Sequence, residues 1–179
     1  MATFYAHFDA QITDAMYQQM EQQGMTLPEL ITLASFVQEE AGNDQDSNVA
    51  QVFRNRLAEG SPYPMLQSNT SSYIQNDADN NYLWNWVAPY FGGWDRIPAE
   101  ILAAYDTYSC IGLPAGPISN PGLAAIQAAL DPRPDEAVKD CYFFVTDLTG
   151  HYYYARTLSQ HNANCAKAAK VNKQLRAAS

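Results

Sequence analysis

Between Leu30 and Ala41 apolar residues recur at helical spacing, and one carboxylate falls where that pattern would change its chemistry. At the 100° step of an α-helix, Leu30, Leu33, Ala34, Val37 and Ala41 make one apolar face. Glu39 falls opposite that face, in solvent. Glu40 falls on its flank, one turn beyond Phe36 and Val37 and two turns beyond Leu33. A carboxylate so placed loses hydration, which favours its neutral form and raises its pKa above the free value of about 4.3. A carboxyl group that keeps its proton near neutral pH is what a general acid needs. The same position also suits a glutamate that bonds a backbone N–H or a guanidinium such as Arg54 or Arg56. Periodicity does not choose between these roles.

Other residue types narrow the chemistry. Cys110, Cys141 and Cys165 are far apart, with no C-x-x-C spacing, which argues against a zinc site and a complete disulfide framework; one bridge plus a free thiol stays open. His151 and His161 have no neighbour that suggests a metal ligand or a nucleophile pair, and they read as structural. No G-x-S-x-G, P-loop or G-x-G-x-x-G pattern occurs. The expectation is therefore no metal and no cofactor. With 10 Lys and Arg against 19 Asp and Glu, the net charge of −9 repels phosphate backbones and disfavours nucleic acid as a partner. The charge is uneven. Residues 1–53 hold no Lys or Arg, whereas Arg156, Lys167, Lys170, Lys173 and Arg176 follow Leu148 with no acid among them, a pattern that suggests a basic helix packed near an acidic one.

The elements that must position Glu40 are mostly helices. Ile12, Met16 and Met20 predict a short helix from about Asp9 to Gln22, ended by Gly24. Thr26-Leu27-Pro28-Glu29 reads as a capping box with proline in the first turn, opening a helix that runs to about Ala41 and stops at Gly42. A third helix spans about Ser47 to Glu59, with Gly60 as its stop. Residues 61–98, rich in Asn, Asp, Tyr and Trp, read as a long and partly ordered loop region. Ile97 to Tyr105 suits a short helix, and Gly112 to Pro117 a stiff turn. Asn120-Pro121 looks like a cap and first helical position, opening a helix to about Leu130. Cys141–Thr146 and His151–Ala155 predict a hairpin, and a last helix covers about Ser159 to Leu175. The expected fold is a mainly helical α+β single domain with a small antiparallel sheet that includes the C-terminal hairpin. Residues 1–25 would form a helical preface and 26–179 the main domain, with a loop insert at about 73–96. No apolar run reaches the roughly 18 residues needed to span a bilayer, and no signal peptide is visible.

The run Leu33-Ala34-Ser35-Phe36-Val37-Gln38-Glu39-Glu40 is similar to a motif of the endolytic murein transglycosylase, or YceG-like, family. There the pattern looks like LASxxExE, and its second acidic position, the catalytic glutamate, maps onto Glu40. Further matches follow in order: Val52 to Leu57, Leu66 to Asn69, Tyr105 to Tyr108, Gly112 to Ile118 with Asn120 to Gly122, and Tyr142 to Val145 with His161-Asn162. The chain departs from the family at three positions. Gln38 stands where the family has its first glutamate, Asn69 replaces an expected aspartate, and Asp106 replaces an expected asparagine. The insert from Tyr73 to Trp94, with Trp84, Trp86 and Trp94, is longer than the family's loop.

The resemblance implies a peptidoglycan lytic transglycosylase that cleaves between N-acetylmuramic acid and N-acetylglucosamine, leaving 1,6-anhydromuramic ends, with Glu40 as its acid/base. Gln67, Asn69, Tyr105 and Asp106 are the expected substrate contacts. Tyr105, Tyr108 and the tryptophans serve either as sugar-stacking rings or as core. The exchange of acid and amide at 69 and 106 would preserve a hydrogen bond if those side chains meet across the cleft. The partners implied are glycan strands and the cell-wall synthesis machinery, at the extracytoplasmic face of the bacterial membrane. Family members carry an N-terminal membrane helix and a small domain ahead of the catalytic one; neither is seen in these residues, so an excised catalytic unit is implied. Two other readings stand beside this one: a muramidase that hydrolyses the same bond, and a wall-glycan-binding module without turnover.

Overall fold

The computed structural model describes residue 8 and residues 10–42, 44–68 and 82–178. Helix α1, Asp14–Gln23, is capped by Thr13, whose hydroxyl accepts the Met16 N–H, and ends at Gly24 in the left-handed region (φ 63°). Asp9, the expected start, lies outside the described residues; Phe8, Ala10 and Gln11 are helical, and Ile12 N–H bonds the Phe8 carbonyl. Thr13 is extended and separates these residues from α1, so the expected single helix is interrupted there. Ile12, Met16 and Met20 are nonetheless all buried in the main core.

Helix α2, Leu27–Glu40, starts at the expected capping box, with Thr26 and Glu29 each bonding the other's backbone N–H. Leu30, Leu33, Ala34, Phe36 and Val37 are fully buried. Thr32 and Ser35 are buried too, so this helix is enclosed on more than its apolar stripe. It packs against α3, Asp46–Leu57, and above all against α6, Leu123–Leu130, to form the core. The start of α6 lies beyond the predicted Asn120. Gly122 is the cap residue, and its N–H donates to the side-chain carbonyl of Gln38 at 2.9 Å.

Part of the predicted loop is helical. A π-helical turn, Leu83–Val87, leads into α4, Ala88–Phe91, and a 3₁₀ turn, Trp94–Arg96, precedes α5, Ala99–Ala104. Leu83, Ala88 and Ile97 are the buried anchors. Ala88 N–H bonds the Leu83 carbonyl five residues back, so the apolar spacing here follows neither a helical nor a strand period.

Strands β1, Phe143–Thr146, and β2, Tyr152–Ala155, form the predicted antiparallel hairpin, with Phe143 opposite Ala155 and Thr146 opposite Tyr152. The last helix, α7, Leu158–Ala178, packs on both strands. This replaces the expected pairing of a basic with an acidic helix: Lys167, Lys170 and Lys173 stay exposed, and Arg156 meets Asp140 at 3.4 Å. The domain is mainly helical α+β, as expected. All three cysteines are free thiols, so no bridge forms.

Candidate active site

Glu40 is the last residue of α2, and Ala41 turns the chain into an extended conformation immediately after it. The end of the helix is pinned by the hairpin. The Tyr152 hydroxyl donates to the Glu40 carbonyl at 2.7 Å and accepts the Gly42 N–H at 2.9 Å. The Glu40 side chain is half-buried, and its Oε1 accepts the Ser68 hydroxyl at 2.5 Å. Glu39 is exposed, as the wheel predicts.

The wall opposite α2 is built from residues 65–68 and 105–109. Thr107 holds it together. Its carbonyl accepts the Gln67 N–H (2.9 Å), its Oγ1 accepts the Ser68 N–H (3.1 Å), and its hydroxyl donates to the Ser68 carbonyl (2.7 Å). Arg56, on the last turn of α3, is 3% exposed and reaches the same wall. Its guanidinium donates to the carbonyls of Met65 (2.5 Å) and Tyr142 (2.9 Å) and to the Gln67 side-chain carbonyl. It also lies over the rings of Tyr63 and Phe143. Burial lowers the Arg56 pKa, and the Tyr108 and Tyr63 phenols oppose that shift.

Tyr108 is 46% exposed. Its pKa is raised first by lost hydration and next by the Glu40 carboxylate, which puts the phenol within electrostatic reach of that group. Tyr105 packs against Tyr82 at 5.6 Å, and burial raises its pKa. Gly116 packs close to Tyr105: a Cβ there would lie 3.1 Å from the Tyr105 hydroxyl, a tight contact. Asp106 closes its own turn: one carboxylate oxygen accepts the Tyr108 N–H at 2.9 Å and the other the Ser109 hydroxyl at 2.5 Å.

Of the sequence-predicted residues, Gln67, Tyr105 and Asp106 belong to segments that meet beside Glu40. Gln67 spends its carbonyl on Arg56, and Asp106 bonds within its own turn. Asn69 lies outside the described residues, as does its suggested pairing with Asp106. Ser68 and Thr107 lie within the matching segments Leu66 to Asn69 and Tyr105 to Tyr108, and Arg56 within Val52 to Leu57, but the sequence does not single out their roles; Tyr152, in the β-rich run His151–Ala155, carries no signal of its contact with α2. Among the described residues no group of His, Cys, Asp and Glu side chains gathers at a spacing that could hold a metal ion.

The fold and site define a mainly helical domain with a half-buried carboxylate at a helix end, held by the Ser68 hydroxyl. The YceG-like family model matches residues 1–167, and the chain belongs to that family. It is 33% identical over 163 residues to the endolytic murein transglycosylase of Streptococcus pneumoniae serotype 2 strain D39, covering 89% of this chain and 26% of the relative. It is 31% identical over 145 residues to the endolytic murein transglycosylase of Bacillus subtilis strain 168, covering 80% of this chain and 35% of the relative. The crystal structure of a YceG-like protein from Listeria monocytogenes aligns with a TM-score of 0.55 and 26% identity, covering 87% of this chain and 44% of that one. The chain therefore spans only about a quarter to a third of the length of these curated relatives.

Proposed function

We propose that this domain is a peptidoglycan lytic transglycosylase that cleaves glycan strands between N-acetylmuramic acid and N-acetylglucosamine, with Glu40 as acid and then base. The observation that carries this reading is the half-buried Glu40 carboxylate at the end of α2, hydrogen-bonded to the Ser68 hydroxyl. Protonated Glu40 donates to the glycosidic oxygen as the C1–O bond breaks, releasing the N-acetylglucosamine hydroxyl. The Glu40 carboxylate then takes the proton of the muramic C6 hydroxyl, whose oxygen closes on C1 to give the 1,6-anhydro ring. The proton count returns to its starting value, so one carboxyl group suffices.

A hydrolytic glycosidase normally needs a second carboxylate. Here Gln38 replaces the neighbouring acid and holds the Gly122 N–H, and the Asp106 oxygens hold their own turn. Both features favour the lytic route. The murein specificity rests on the names of the relatives at 31–33% identity. The same reading puts the domain's work at the extracytoplasmic face of the membrane, where peptidoglycan lies. Among the described residues no helix is long and apolar enough to cross a membrane.

The test is digestion of purified peptidoglycan by the wild type and Glu40→Gln, with product masses measured. Anhydromuramic ends from the wild type support the proposal. Reducing ends would make the enzyme a muramidase, and binding without any turnover would make it a wall-glycan-binding module.

A further inference from the structure

We propose that Ser68 is a positioning residue for Glu40: its hydroxyl fixes the carboxylate and stabilises the charge left on it once its proton has gone to the glycosidic oxygen. This rests on the acid/base reading above for its use in turnover, but the contact itself does not.

The Ser68 Oγ to Glu40 Oε1 distance of 2.5 Å lies in the range of a charge-assisted O–H···O⁻ bond. The placement of Ser68 is over-determined. Its N–H and carbonyl are both tied to the Thr107 side chain, and the residue before it is tied to the Thr107 carbonyl. Ser68 and Thr107 are 5% and 1% exposed. Gln67 adopts φ 53°, a left-handed conformation that is costly for a residue with a Cβ. Arg56 grips its side chain there while anchored on Met65 and Tyr142. Backbone strain of this kind persists only where the surroundings enforce it, and it clusters at functional sites. Here it precedes the one residue whose hydroxyl reaches Glu40 in the described wall.

A hydroxyl that donates to a carboxylate stabilises the charged form and lowers its pKa. The acid step gains directly, because it ends on that carboxylate; the base step starts from it and gains only from the fixed position, since a stabilised carboxylate is a weaker base. Other groups also face Glu40 and set the background. Among the described residues they include the Tyr108 phenol, influenced in turn by Asp106 and Arg56, and the Tyr152 hydroxyl on the Glu40 carbonyl. Glu39, on the same helix, is exposed.

The experiment follows the Glu40 side-chain carboxyl by ¹³C NMR titration and the pH profile of kcat/KM on purified glycan strands, in wild type, Ser68→Ala and Ser68→Thr. Ser68→Ala should raise the Glu40 titration by about one pH unit. The alkaline limb of kcat/KM should move up with it, because the protonated acid persists to higher pH. Turnover should fall about tenfold at the optimum, and Ser68→Thr should restore both. Ser68→Cys, with similar volume and a weak S–H donor, carries the test if the alanine variant does not fold. An unmoved Glu40 titration in the hydroxyl-free variants, with any loss of turnover equal at every pH, would show Ser68 to be only structural and overturn the inference. If Glu40→Gln keeps wild-type turnover, the catalytic reading falls, while the NMR titration still decides the link between Ser68 and Glu40.

Discussion

At the scale of single residues, Glu39 and Glu40 are adjacent carboxylates with opposite surroundings. Glu40→Gln keeps volume and hydrogen-bonding capacity but has no proton to give, so turnover should fall at least about 100-fold in the digestion assay. Glu39→Gln should change little, because that side chain is exposed. Equal losses would mean that the position on the helix does not matter. This contrast is legible in the sequence because a 3.6-residue period assigns each position a face. Ser35, five residues earlier on the same helix, is not legible in the same way. It is fully buried, its hydroxyl donates to the Thr32 carbonyl at 2.7 Å, and it accepts the Ile118 N–H at 3.0 Å. A polar residue is hidden there because a backbone group 83 positions away needs its oxygen. Ser35→Ala should leave that buried N–H unsatisfied and cost about 1–3 kcal/mol, read by urea unfolding.

At the scale of elements, the aromatic insert separates into two kinds of side chain. Trp94 is half-buried and rests against Trp84 at 5.6 Å, whereas Trp86 is 74% exposed. Trp86→Ala should therefore weaken pelleting with insoluble peptidoglycan, measured in the Glu40→Gln background, while stability stays within about 0.5 kcal/mol. Trp94→Ala should lower stability by at least about 0.5 kcal/mol through the lost ring contact. Undiminished pelleting by Trp86→Ala would remove the insert from the glycan-binding surface. The helical turns of this segment escape sequence reading because a π turn spaces Leu83 and Ala88 five apart. The start of α6 escapes it for another reason: its cap comes from Gln38, 84 residues away, while Asn120-Pro121 only imitates a local one. The hairpin, in contrast, is legible from its β-rich runs and its turn. That turn is held by Asp147, whose carboxylate accepts the Thr149 hydroxyl (2.5 Å), the Tyr153 hydroxyl (2.9 Å) and the Thr149 N–H (2.8 Å). These bonds, led by the Thr149 hydroxyl, depress its pKa from 3.8 to about 2. The folded pKa lies below the unfolded one, so the stabilisation is present above about pH 4 and is lost as pH falls toward 2. Asp147→Asn should remove this part of the acid dependence, seen as a flatter plot of melting temperature against pH in that window.

At the scale of the whole molecule, the site is completed by chain that lies more than 100 residues from Glu40. Helix α7 packs on the hairpin, and the hairpin brings Tyr152 to the end of α2, a separation of 112 residues from Glu40. The sequence displays the hairpin and the helix but not their docking, because neither the aromatic run Tyr152-Tyr153-Tyr154 nor its alternation shows which hydroxyl faces which backbone group. In the fold, Tyr154 turns to the Gln45 side chain, Tyr153 to Asp147, and Tyr152 to Glu40 and Gly42. The docking has a mechanical consequence. A helix end leaves its last carbonyls unsatisfied and frays readily, and the acid/base sits on that last residue. Tyr152 bonds the carbonyl of that residue and the N–H two positions on, clamping the junction where the chain leaves α2. Tyr152→Phe keeps the ring and its stack on Tyr154 but deletes the clamp. The loss of stability should be about 0.5–1.5 kcal/mol, as the Gly42 N–H and Glu40 carbonyl exchange the Tyr152 hydroxyl for water. Turnover per folded molecule should fall by about tenfold, since a carboxylate on a frayed helix end is displaced from its reacting geometry. Parallel unfolding and digestion assays separate the two effects. A variant that loses stability yet turns over normally per folded molecule would make the hairpin a cover for the core and not a support for the site.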